Sequence, residues 1–230
     1  MAVHALVPFQ RPGTGKSRLA PALTSRERAE LAHAMLADVV AALHAAETLA
    51  TITVMTPGDP AERLAALEVA VVADDPRSTG LDASVRSAAA GLRATDELLV
   101  VMADLPCLTS VDVGRMLAAA DAVVIARTDD GGTGGLLRRP HNRIATAFGH
   151  DSAQAHQSLA RAVGARTSVV TLDGFRRDVD VIDDIRQLNP DDVGPHTAAA
   201  LEAIGLPTGS RSHHPRGPDD GESVPAATSR

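Results

Sequence analysis

The chain has 230 residues, a formal net charge of −7 and an apolar fraction of 44%, which is enough for one substantial α/β domain or two small ones. The acidic balance argues against a general nucleic-acid binder, which needs a basic face, yet leaves room for a small anionic substrate held by a few local cations or a metal. The core must be aliphatic, since the aromatic residues are Phe9, Phe148 and Phe175 alone; Cys107 has no partner for an internal disulfide, and without a signal-like start or a long apolar run the chain reads as cytoplasmic.

In chain order, the first strand is expected at "VHALV" (3–7). It runs into "PFQRPGTGKSRLAP" (8–21), where Gly15-Lys16-Ser17 imitates the end of a Walker A phosphate loop. The imitation is incomplete. The first glycine of the motif would stand at Gln10, and Pro21 falls where the phosphate-cradling helix should be under way. Three readings remain: a P-loop GTPase, a loop with a solvated lysine, and a loop that bends over a nucleotide. In the last, Lys16 and Arg18 meet phosphates as a point charge and a fork.

A long amphipathic helix follows, opened by a capping box at Thr24-Ser25-Arg26-Glu27. Further strands are expected at 51–55, 69–73, 98–102, 122–126 and 168–172, and further helices at 59–67, 82–92, 109–119, 152–163 and 195–204. Strands separated by helices imply right-handed crossovers and a mostly parallel sheet covered on both faces, with ligands at the carboxyl ends of its strands. Residues 1–208 are expected to form this single α/β domain. The segment 209–230 is polar and rich in Pro, Gly and Ser, a composition expected of a disordered tail.

Two carboxylate groups stand out. Asp104 lies just past the apolar run "LLVVM", where a parallel strand presents its ligands, and is a natural magnesium ligand there; Thr109 is the nearer helix cap. In "RRDVDVIDDI" (176–185), Asp178 and Asp180 alternate around Val179, so an extended segment puts both on one face. One is expected to serve as a ligand, with the other holding the backbone or a second metal. Asp183 and Asp184 suit the start of the next helix. "TDDGGTGGLLRRP" (128–140) is either a glycine-rich hairpin turn or an anion cradle of uncovered amides, with Thr133 adding a hydroxyl. "FGHDSAQAH" (148–156) supplies Gly149 and a helix start at Ser152, read either as an ordinary cap or as a second anion site.

Taken together, "KSRLAPALTSRERAELAHAML", "ADLPCLT", "GGT", "FGHDS" and "RDVD" followed by "VGPHTAAALEAIG" resemble the 2-phospholactate and phosphoenolpyruvate guanylyltransferases of coenzyme F-420 biosynthesis, within the MobA-like nucleotidyltransferases. The likeness runs from about residue 3 to residue 204. It implies a Rossmann-like domain that joins GTP to a small phosphorylated acid (2-phospho-L-lactate, phosphoenolpyruvate or 3-phosphoglycerate) and releases pyrophosphate. Asp104 and Asp178, with Asp180 beside them, would hold Mg2+. Thr133, Gly149 and Ser152 would bind the acid, Lys16 and Arg18 would face the nucleotide phosphates, and Gly80 and Asp82 would lie near the guanine. A hand-off of the labile product to the next enzyme is implied as well. The chain departs from the family pattern at Asp82, where Asn is common, at Gly134 and Gly135, and after Asp180, where Thr-Pro is missing. Another base or acceptor, or a non-catalytic relative, stays open.

Overall fold

The protein is described from a computed structural model covering residues 1–9, 16–57, 64–74, 77–206 and 208–209. Seven strands form one sheet: β1 (Val3–Pro8), β2 (Thr51–Thr56), β3 (Ala70–Ala73), β4 (Glu97–Val101), β5 (Val123–Arg127), β6 (Thr133–Arg138) and β7 (Thr167–Val170). Their spatial order is β3-β2-β1-β4-β6-β5-β7. All neighbours run parallel except β6, which is antiparallel to both β4 and β5. The expected α/β class holds, with six of the strands found near their expected positions.

The helices are α1 (Ser25–His44), α2 (Leu81–Ala88), α3 (Ser110–Ala118), α4 (Ser152–Ala162), α5 (Asp173–Arg176), α6 (Ile182–Gln187) and α7 (Pro195–Ile204). Their starts follow from local chemistry. Thr24 and Glu27 close the expected capping box on α1, and Thr109 with Asp112 makes another on α3; each hydroxyl cap is worth about 1 kcal/mol. The Asp184 carboxylate accepts the amides of Asp180 and Val181, both at 2.7 Å, and so opens α6. The helix expected over 59–67 falls largely outside the described residues, as does the tail beyond Gly209.

Alternation along β4 shows how the sheet is buried. Leu99 and Val101 join the core under α1 and α3, whereas Leu98 and Val100 join the core under α2 and α4. A third apolar cluster lies off the sheet and unites Leu19, Leu31, Met35, Val179, Ile185 and Leu201. It ties the segment after Lys16 and the segment around Val179 to α1 and α7. The seating of α7 is polar: buried Asp38 on α1 accepts the amides of His196 and Thr197 at 3.0 and 2.8 Å.

β6 and α5 were not foreseen. The run "TGGLLR" reads as loop because glycine weakens strands, yet it is an interior strand, buried at every position. Glycine is required there because Phe175 of α5 packs onto the strand with no exposed surface. A Cβ on Gly134 would stand 2.6 Å from the Phe175 carbonyl oxygen, and one on Gly135 would stand 2.6 Å from its ring. Gly134→Ala is therefore expected to cost about 2 kcal/mol or more through overpacking. Urea unfolding followed by circular dichroism checks this; an unchanged midpoint would show that α5 yields freely.

Candidate active site

β1 has β2 on one side and β4 on the other. The crevice beyond the carboxyl ends of β1 and β4 is thus the place where a sheet of this kind receives a ligand. Lys16 comes from the β1 side and has a left-handed backbone, φ 57° and ψ 37°. Such a conformation costs a non-glycine residue about 1 kcal/mol, and it is followed by fully buried Leu19. The helix that a Walker A loop needs directly after its lysine is replaced by one 3-10 turn, Ser17–Leu19, and α1 begins only at Ser25. Gln10 and Gly15 lie outside the described residues. Arg18 is exposed and forms no ion pair with a described residue.

The carboxylates arrive from two further places. Asp104 stands three residues past the end of β4, and its carbonyl oxygen accepts the Val179 amide at 3.1 Å. That bond registers the segment after α5 against the β4 exit. With Val179 buried, Asp178 and Asp180 are brought beside Asp104, and one oxygen from each of the three lies within 4.8 Å of the others. Lys16 Nζ donates to Asp104 and, at 2.8 Å, to Asp180. Burial disfavours the ammonium, but attraction to Asp104 and Asp180 outweighs it and raises the pKa, so Lys16 stays charged. Asp178 is pushed up to about 6, by burial first and then by Asp104, Asp130 and Asp180. Three hard oxygen donors with excess negative charge match the preference of a divalent cation such as Mg2+.

A second polar group lies beyond the β5–β6 turn. Ser152 Oγ donates to Thr133 Oγ1 at 3.0 Å, and both residues are buried. Ser152 is thus the first residue of α4 rather than its cap. That position belongs to Asp151, which is left-handed (φ 51°) and makes no capping bond. The glycine run is a hairpin turn, not an anion cradle. Gly131 donates to the Thr128 carbonyl at 3.1 Å, Gly132 donates to Asp130 Oδ1 at 3.0 Å, and the rest is β6. Uncovered amides occur instead at Gly149 (φ 135°), His150 and Asp151, none of which donates to a described residue.

Two residues escaped the sequence reading. His156, with no exposed surface, lies 3.1 Å from Thr133 Oγ1 through Nδ1 and accepts the Ala147 amide at Nε2, 2.9 Å away. Asp74, just past β3, has a buried Oδ1 without a hydrogen-bond partner among the described residues. It lines a cavity of about 210 Å3 with Pro8, Phe9, Met55, Gly80 and Ser84. Asp82, expected near the base with Gly80, is not among the residues lining that cavity: its Oδ1 accepts the Phe148 amide at 3.0 Å, and it borders a separate cavity with Arg138.

A family model described as "Guanylyl transferase CofC like" matches residues 3–208. The chain is 38% identical to the phosphoenolpyruvate guanylyltransferase of Nocardia farcinica over 226 residues, covering 93% of this chain and 96% of that one. It is 36% identical to the 3-phospho-D-glycerate guanylyltransferase of Phenylobacterium zucineum, covering 84% and 93%. Among solved structures, a candidate nucleotide-diphospho-sugar transferase from Desulfovibrio desulfuricans G20 superposes with a TM-score of 0.72 at 19% identity, over 89% of this chain and 96% of that one, which bears on the fold alone. These matches make the protein a nucleotidyltransferase, and the chain belongs to the CofC-like guanylyl transferase family.

Proposed function

We propose that this nucleotidyltransferase joins GTP to a small phosphorylated carboxylic acid, with phosphoenolpyruvate the leading substrate and 3-phosphoglycerate and 2-phospho-L-lactate the competing ones. The observation that carries this is the meeting of Lys16, Asp104, Asp178 and Asp180 at the carboxyl ends of β1 and β4. A phosphate oxygen of the acid attacks the α-phosphorus of GTP. A new P–O bond forms, the bond to the β-phosphate oxygen breaks, and pyrophosphate leaves with its electrons. The nucleophile is already anionic at neutral pH, so no side chain has to remove a proton. Catalysis is then positioning and charge neutralisation.

The roles divide by location. Asp104, Asp178 and Asp180 would hold Mg2+, which when bound neutralises phosphate charge and orients the reacting oxygens. Lys16 and Arg18 supply cations to the departing pyrophosphate. Thr133 and Ser152, with the uncovered amides at 149–151, receive the acid. Asp74 is assigned to guanine: the N1–H and the 2-amino group form adjacent donors, and a carboxylate accepts both. Gly80 walls the same cavity, whereas Asp82 secures the loop at Phe148. Cytoplasmic residence fits such water-soluble substrates, and no helix among the described residues is long and apolar enough to cross a membrane.

A pyrophosphate-release assay crossing four nucleoside triphosphates with the three acids tests the activity. Turnover requiring both GTP and one acid is expected; GTP hydrolysis without any acid would overturn it. Asp104→Ala should reduce turnover by about a thousandfold or more while leaving the melting transition in place. Asp74→Asn should raise KM for GTP by about 10- to 100-fold and narrow the preference for GTP over ITP, which lacks the 2-amino group. Unchanged nucleotide kinetics in that variant would remove Asp74 from the base site.

A further inference from the structure

His156 follows Ser152 by one helical turn on α4, and its two ring nitrogens meet unlike neighbours. The Ala147 amide can only donate, so Nε2, 2.9 Å away, must present a lone pair. A neutral ring then carries its proton on Nδ1, and that proton is directed at Thr133 Oγ1, 3.1 Å away. Burial is the main force keeping the ring neutral, pulling its pKa down to about 4; Arg138 on β6 acts in the same direction and Asp82 on α2 opposes both. Phe148 meets the ring edge-on, with centroids 5.0 Å apart.

The consequence is a proton count. His156, Thr133 and Ser152 have three polar hydrogens between them, and their two contacts use two. With Nδ1–H donating into Thr133 Oγ1, one hydroxyl hydrogen lies between Thr133 and Ser152 and the other is left over. In the opposite tautomer, Nδ1 would accept the Thr133 hydrogen and Ser152 would donate to Thr133, so none would remain. The Ala147 amide thus selects the state that leaves a donor for an anion.

We propose that His156 is a positioning residue, held in its Nδ1–H tautomer so that the Thr133–Ser152 pair keeps one hydroxyl proton for an oxyanion of the phosphorylated acid. This rests on the assignment of Thr133 and Ser152 to the acid subsite. The same ring also fixes the loop that carries Gly149, through the Ala147 amide.

The test is steady-state kinetics with the acid varied at saturating GTP, and with GTP varied at saturating acid. His156→Leu removes both bonds and should raise KM for the acid by about 10- to 100-fold, with KM for GTP unchanged. His156→Asn places an N–H near the Nδ1 position and should restore most of the acid affinity. His156→Gln places its amide near Nε2 instead and should restore less. If the leucine variant does not fold, as judged by its thermal melt, the order Asn above Gln still carries the test. An unchanged acid KM in the leucine variant, an equal rise in KM for GTP, or an asparagine variant no better than glutamine would overturn the proposal. Thr133→Val separates the two levels. A raised acid KM there, with none in the His156 variants, removes His156 alone; no rise in any of them removes the acid subsite as well.

Discussion

Three carboxylates gathered within 4.8 Å of one another, two of them bonded to a single ammonium group, repel one another, and much of the local structure serves to hold them together. Asp104, Asp178 and Asp180 come from two distant parts of the chain, and none is held by its own element alone. The Val179 amide bonded to the Asp104 carbonyl sets their register. Burial of Val179 with Leu19 in one apolar cluster anchors the carboxylate segment and the lysine segment to the same helices. Unbalanced, such a cluster would cost several kcal/mol. Lys16 supplies part of that balance through its bonds to Asp104 and Asp180, so the site folds with its own internal counter-ion.

The second polar group answers a different requirement. What it offers is neutral donors, two hydroxyls and the amides at 149–151, at the start of a helix packed on one face of the sheet. The turn at residues 128–132 joins the two regions: Asp130 adds to the upward shift of Asp178, while Thr133 opens the strand that leads away. The charged group and the neutral group thus stay chemically distinct although the turn brings them close.

Much of this was legible beforehand, for physical reasons. Long β-branched runs and capping boxes act locally, so the parallel strands and α1 could be read from spacing. Asp104 was readable because a carboxylate after an apolar strand has few structural uses. Asp74 carries the same signal, at the end of "VAVVAD", but the feature that distinguishes it, a buried unpartnered oxygen, exists only in the fold. β6 was hidden for the opposite reason: its glycines answer to Phe175, about forty residues away, and no local pattern encodes a contact at that distance. His156 lies four residues after Ser152, which puts both on one face of α4; only the fold shows that Ala147 and Thr133 take its two nitrogens. The glycine cluster reads like a phosphate cradle, yet its amides are spent within the turn.

The edge contact between Phe148 and His156 has an optical consequence. The chain contains neither tryptophan nor tyrosine, so its near-ultraviolet spectrum is almost silent. Phe148 sits on the loop that leads to Gly149, its amide held by Asp82, half-buried and against an imidazole. An indole placed at that position would be the only strong fluorophore in the molecule, next to a neutral imidazole. Its emission would report on that one loop with no background to subtract.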